Sequence, residues 1–400
     1  MERRTNVPSI AMSFSDVPFP YGPFVPHHIP RQYIESYFSH HKIDTLLSLK
    51  TTVEDISLIP SPKQGQERWK LTLRKNDPIQ NVDVWWEEEF DAVVLANGHY
   101  SIPYIPEVEG LAQYMSLFPN RVTHSKIYRS PSIYQSKKVL IIGNSASGHD
   151  LTTELVQTAR HPVYQSRRSP SRWDGAEPPP GIAWKPVIKT FLPTGRIVFE
   201  DDTYLDNVDS VIYCTGYKAS FPFWNSAKNG REIFDYKTNK LVKTYLHTFF
   251  RDFPTTLGIV GMPRVLTFRS FEYQAIALAR VFSRRDGGRL LARGVNEMER
   301  WEREREERCR REKKKFHDIE WETGETWGWL DELYGIAGLP LLGGEGRTPP
   351  VFGEEVRWAV EHLRKYPEPG KDETENDSLP ENDDWVVIGE NQVKDVLAFL

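Results

Sequence analysis

One segment constrains the fold more than any other: Val139-Leu140-Ile141-Ile142-Gly143-Asn144-Ser145-Ala146-Ser147-Gly148-His149-Asp150. Its apolar opening, within a strand predicted over 138–142, reads as a strand buried on both faces, the kind found in parallel sheets. The run stops at a glycine, and the pattern then becomes that of a helix, predicted from Ser147 to Arg160. A dinucleotide-binding turn needs a tight bend at its first glycine, close backbone approach at its second and helix–strand packing at its third. Gly143 and Gly148 fill the first and third roles. Ser145 stands at the second, where its Cβ and hydroxyl crowd a pyrophosphate. Asn144, Ala146 and Ser147 complete the turn, whose helix start offers N–H groups to that pyrophosphate. A plain α/β turn without ligand is the bland alternative; the strand and helix on either side favour nucleotide binding.

The same rhythm recurs. A strand over Pro162–Ser166 follows at βαβ spacing, and another over Ser210–Cys214 ends at Thr215 and Gly216. Phe90–Ala96 reads as a fully buried strand ending at Asn97 and Gly98. Strand, glycine turn and helix in this order predict a doubly wound α/β fold. The 400 residues allow two domains, or one carrying another nested within it. The strand after the turn ends in Ser166-Arg167-Arg168 with no acidic residue. An NAD site carries Asp or Glu there for the ribose hydroxyl, whereas arginine suits a 2′-phosphate, so NADP is preferred.

Several other chemistries find no support. The net charge of −5 gives no basic excess for gripping nucleic acid. Two cysteines, Cys214 and Cys309, make neither a disulfide framework nor a four-thiolate zinc site. His27-His28 and His40-His41 lack ligand spacing. Gly143-Asn144-Ser145-Ala146-Ser147 begins like a nucleophile elbow, but Ser147 stands where the closing glycine belongs. No apolar run reaches 18 residues, so no membrane span is expected, and a reducing, cytoplasmic setting is the default.

Outside the strand–turn–helix units the chain is varied. A proline-rich opening precedes a helix near Arg31–His41, and strands are predicted at Thr52–Leu58, Arg68–Arg74 and Val82–Glu87. In a helix over Phe271–Ser283, the spacing of Phe271, Ala275, Leu278 and Phe282 predicts one buried face. Residues 297–315 hold seven acids and nine bases. Pairs such as Glu299–Arg303, Glu304–Arg308 and Glu307–Arg311 predict a solvated helix braced by its own charges. Acid-rich 367–384 reads as a disordered linker, and Trp385–Leu400 as apolar enough to dock.

Taken in order, these segments resemble the flavin-containing monooxygenases, specifically their soluble fungal-type branch. Thr5-Asn6-Val7-Pro8 and Met12–Pro20 look like the stretch after that family's FAD-binding βαβ unit. Phe90–Tyr100 with Ile102–Pro106, and Val211–Tyr217, look like its two linkers. Phe118 to Tyr128 resembles its F-x-G-x-x-x-H-x-x-x-Y motif, with Asn120 in place of the glycine. The resemblance implies an NADP-binding Rossmann-like domain nested in an FAD domain. The expected divisions are 1–136 for a remnant of the FAD domain and linker, 137–217 for NADP, 218–345 for the return to the FAD side, and 346–400 for an acidic tail. The family's opening G-x-G-x-x-G has no counterpart here, so the chain is expected to lack the FAD-binding βαβ unit. The implied activity is NADPH- and FAD-dependent oxygenation of a small amine or sulfur nucleophile by dioxygen, through a C4a-hydroperoxyflavin. Asn6 is then the catalytic amide, and His124 and Tyr128 are positional. The alternative is a non-catalytic NADP-binding or interaction protein that has lost its flavin site.

Overall fold

Val139, Leu140 and Ile141 have no exposed surface, because strand Val139–Ile142 has a parallel neighbour on each side. They belong to a computed structural model that describes residues 4–19, 22–61, 67–171, 174–263, 265–320, 323–338, 354–363 and 365. The chain forms two compact units. One is built from Tyr100–Lys218 and Lys365, the other from 4–99 and Ala219–Leu363.

The first unit is organised by a five-stranded, wholly parallel sheet. In spatial order its strands are Val122–His124, Ser210–Tyr213, Val139–Ile142, Val163–Ser166 and Ile182–Lys185. Helix Ala146–Leu155 covers one face through Leu151 and Leu155, which pack with Ile141, Val163 and Ile212. The other face packs Leu140 and Val211 against Phe191, Ile197 and Phe199 of a small antiparallel sheet. The doubly wound α/β expectation is borne out. The helix ends five residues before Arg160, because the backbone there pairs with the preceding loop: Thr158 accepts from Ser136 N–H, and Arg160 N–H donates to Lys137.

The second unit holds two sheets. Strands Thr51–Ile59, Arg68–Asp77 and Val82–Phe90 form an antiparallel meander. Thr244–Tyr245, Phe249–Phe250, Leu257–Ile259 and Val93–Leu95 form a mixed sheet in that spatial order. Here one expectation is corrected. The strand predicted over Phe90–Ala96 covers only Val93–Leu95, since Phe90 closes the meander opposite Trp69. It is not fully buried either: Leu257–Ile259 is its one strand partner among the described residues, and Val94 is 43% exposed.

Helix Phe268–Phe282 turns a different face inward than its apolar spacing predicts. Ser270, Tyr273, Gln274, Ala277, Leu278 and Val281 are buried while Ala275 is exposed. Polar satisfaction explains the rotation: Gln274 Oε1 accepts from Gly261 N–H at 2.9 Å and its Nε2 donates to Thr248 Oγ1 at 2.9 Å. The charged helix also departs from expectation. Arg289–Glu312 buries Met298, Glu302, Arg305 and Cys309, and its charges reach other elements. Glu302 pairs with Lys240 and Arg251, both at 2.7 Å; Glu299 pairs with Arg251, and Arg308 with Glu325. Within the tail expected over 346–400, helix Glu354–His362 buries Val356, Ala359 and Val360. The linker at 367–384 and the docking segment Trp385–Leu400 lie outside the described residues. No helix among the described residues is long and apolar enough to cross a membrane.

Candidate functional site

The turn after strand Val139–Ile142 is built by close approach. Gly143 has φ +109°, and a Cβ there would lie 2.7 Å from Cys214 O. A Cβ on Gly148 would lie 2.1 Å from Gly143 O, so helix Ala146–Leu155 sits against the turn at a distance only glycine allows. Ser145 is the extended residue that starts this helix. It is exposed, and its side chain makes no cap hydrogen bond. The first N–H groups of a helix have no intrahelical acceptor, so those of Ala146, Ser147 and Gly148 are available to an anion, with the helix dipole behind them.

Around this turn the structure gathers residues that sequence spacing did not join. Asn144 Nδ2 donates to Asp174 at 2.7 Å and to Ser169 O at 2.8 Å. Arg167 pairs with the same carboxylate at 2.9 Å and lies 3.3 Å from the centre of the Trp184 ring. Burial opposes charge on Asp174, but hydrogen bonds from Ser171, Asn144 and Arg167 outweigh it and hold the carboxyl below its ordinary value. The strand end itself carries no acid, as read; an acid arrives from the following loop. The two arginines therefore differ. Arg167 is engaged within the protein, whereas Arg168 is exposed and makes no ion pair among the described residues. Ser166 is buried, its hydroxyl donating to Pro186 O at 2.7 Å, so it supports the strand end.

The predicted linker residues take backbone roles. Thr215 Oγ1 donates to Tyr104 O. Gly216 has φ +83°, and its carbonyl accepts from Tyr104 N–H at 2.9 Å and from His124 Nε2 at 3.0 Å. His124 Nδ1 accepts from Lys126 N–H at 3.1 Å, which assigns its proton to Nε2; burial lowers its pKa. Tyr128 is 1% exposed and donates to Glu154 at 3.0 Å. Asn120 has φ +64°, a left-handed conformation that asparagine tolerates better than other residues with a side chain. In the other unit, Asn97 Nδ2 donates to Ser220 O at 2.8 Å and Gly98 has φ +69°. Asn6 is exposed in the turn before Pro8 and helix Ser9–Met12.

Comparison with known proteins bears on what this geometry belongs to. Residues 4–173 and 181–326 match the family described as flavin-binding monooxygenase-like, which covers most of the chain. The chain belongs to that family. Among its relatives is the flavin-containing monooxygenase iboF of Amanita muscaria, 30% identical over 323 residues, covering 70% of this chain and 60% of that protein. Flavin-containing monooxygenase FMO GS-OX-like 8 of Arabidopsis thaliana is 31% identical over 293 residues, covering 69% and 60%. The chain thus spans about 60% of the length of these relatives. The solved structure of S-allyl-L-cysteine S-oxygenase from Allium sativum shares the fold, with a TM-score of 0.72 at 24% identity, covering 90% of this chain and 77% of that one.

FAD and NADP, the cofactors of this monooxygenase family, meet different surroundings here. The turn at 143–148 fits a dinucleotide pyrophosphate: two glycine positions with no room for a Cβ, an uncapped helix start and a guanidinium open to solvent. The flavin finds no such cradle among the described residues. Gly98 has open space around its Cβ position and the chain runs on to the short strand Ile102–Pro103 rather than a helix. Gly261, which follows strand Leu257–Ile259, already spends its N–H on Gln274.

Proposed function

We propose that this chain carries the NADP-binding part of a flavin-dependent monooxygenase that oxygenates a small amine or sulfur nucleophile. Segment 137–217 is the nucleotide-binding domain in this reading, with 1–136 and 218–345 on the flavin side. The observation that carries it is the glycine contact at the turn, where Gly148 meets Gly143 O too closely for any other residue. Family membership supplies the reaction class.

When bound, the two cofactors supply the hydride and oxygen chemistry; the protein's task is to bind, orient and exclude water. Ala146, Ser147 and Gly148 N–H groups hold the pyrophosphate, and Ser145 offers its hydroxyl beside them. Arg168 takes the 2′-phosphate. Arg167, fixed by Asp174 and stacked on the Trp184 ring, shapes the strand end beside it. Asn6 keeps the role the family motif gives it, an amide hydrogen-bonding near the nicotinamide. No side-chain acid–base pair is needed for transfer to a soft nucleophile, in keeping with the purely positional roles of His124 and Tyr128.

The test is nucleotide preference. Titrations should show NADPH bound more tightly than NADH, and Arg168→Ala should remove about tenfold of that preference, one charge-assisted hydrogen bond. Equal affinity for both nucleotides in the unmodified chain would sink the 2′-phosphate assignment. Substrate-dependent NADPH oxidation with a small thioether or tertiary amine then tests the oxygenation.

A further inference from the structure

A cavity of about 460 Å³ is lined wholly by residues of the second unit. Its walls include Tyr245, Trp301 and Trp329 along with Leu246 and Ile319, and His247 also lines it. Its volume is that of a small-molecule pocket, and its lining is mixed, with these aromatic and apolar side chains beside eight charged ones.

Two of those polar groups are buried, and a hydrogen-bond chain fixes what one of them offers. Leu241 N–H donates to His317 Nε2 at 3.0 Å, so that nitrogen carries no proton. The His317 proton is then on Nδ1, which donates to His247 Nδ1 at 2.9 Å. His247 must therefore carry its proton on Nε2. Burial, with Arg305 nearby, pushes the His247 pKa well down and keeps the ring neutral. Nothing in the described protein accepts from His247 Nε2, though the residue is only 1% exposed. The hydroxyl of Tyr245, 3% exposed, has no hydrogen-bond partner among the described residues either. A left-handed pair, Leu246 at φ 49° and His247 at φ 55°, follows Tyr245, a strain that packing must hold in place.

Charge narrows the ligand. Four arginines and four glutamates line the cavity, and they neutralise one another. Arg293 pairs with Glu297 and Glu332, at 3.0 and 2.9 Å. Arg300 lies 4.0 Å from Glu304. Arg305 and Arg308 share Glu325, and Arg305 also donates from Nε to Phe316 O and from its second terminal nitrogen to Asp318 O. The lining has no net charge to attract an ion.

We propose that this cavity is a second ligand site, for an uncharged planar aromatic or heteroaromatic molecule that brings a carbonyl or ring acceptor to His247 Nε2 and Tyr245 Oη between Trp301 and Trp329. It stands independently of the monooxygenase reading. Coumarin is a suitable probe: uncharged, planar and bearing a carbonyl.

Calorimetric titration of the full chain should show one coumarin site that persists in saturating NADP⁺. Coumarin-3-carboxylate, the same ring with a charge, should bind about tenfold more weakly. Tyr245→Phe and His247→Phe each remove one hydrogen bond and should weaken coumarin up to about tenfold. Gly328→Phe offers a cleaner block. Gly328 lines the cavity on helix Glu325–Ala337, and a Cβ there meets nothing within 4 Å. That variant should keep its far-ultraviolet circular dichroism and NADPH affinity while losing coumarin. No coumarin binding by the unmodified chain, displacement by NADP⁺, or binding unchanged in Gly328→Phe with both Phe variants would each overturn the assignment.

Discussion

Strands Val139–Ile142 and Val93–Leu95 are both short, mostly β-branched and lead to a glycine, at once in the first and three residues on in the second, yet they sit in unlike surroundings. The first has parallel partners on both edges and a helix against its turn, and three of its four residues have no exposed surface. The second has a single strand partner among the described residues, and Val94 is 43% exposed. Their glycines differ in the same way. Gly143 and Gly148 are wedged against backbone, whereas Gly98 has nothing near its Cβ position. Apolar composition specifies that a segment becomes a strand; its neighbours decide whether that strand becomes a floor for a ligand.

The glycines give the strongest test. Gly148→Ala places a Cβ 2.1 Å from a backbone oxygen, and only movement of the helix can relieve that. We expect a loss of about 3 kcal/mol or more, together with loss of NADPH binding. Gly98→Ala adds only the left-handed penalty at φ +69°, about 1–2 kcal/mol. Denaturant midpoints and slopes measure both; equal losses would break the contrast.

Trimming the strands sharpens it. Ile141→Ala empties a site with no exposed surface and should cost about 2–5 kcal/mol. Val94→Ala, on a half-open face, should cost under about 1 kcal/mol. A Val94→Ala loss as large as that of Ile141→Ala would mean that the exposed face is covered in solution.

How much of this was legible beforehand follows from the range of the forces. The turn at 143–148 was, because glycine spacing and a buried strand are local signals that chemistry ties to one geometry. The family was legible too, from ordered motifs spread along the chain. Asp174 was not: it meets Asn144 and Arg167 across a loop whose path no period encodes, though an acid seven residues past Arg167, shortly after Ser169-Pro170-Ser171, was a clue. The buried face of Phe268–Phe282 was missed because Gln274 is drawn inward by a loop N–H, which apolar spacing does not count. The charged helix was misread for a related reason. Glu302 finds Lys240 and Arg251 only after folding brings them together.

The smallest expected effect concerns the carboxylate that sequence spacing could not place. Asp174 has its pKa lowered on folding, because the hydrogen bonds of Ser171, Asn144 and Arg167 outweigh its burial. A group depressed in this way stabilises the fold fully above its unfolded value, about 3.9, and loses that contribution as the pH falls through the lower folded value. Asp174→Asn removes the ionisation while keeping the shape. The stability gap between the unmodified chain and this variant should be flat from about pH 7 to 5, where the carboxylate is charged in both states. It should then narrow below about pH 4 as the unfolded chain takes up its proton first. Denaturant midpoints at matched ionic strength follow the gap. Strand Val93–Leu95 serves as the control, because Val94→Ala has no titrating group and its gap should stay level over the same range. A gap for Asp174→Asn that widens on acidification would show that burial, not hydrogen bonding, dominates at Asp174, and Arg167 would then be held mainly by its stacking on Trp184.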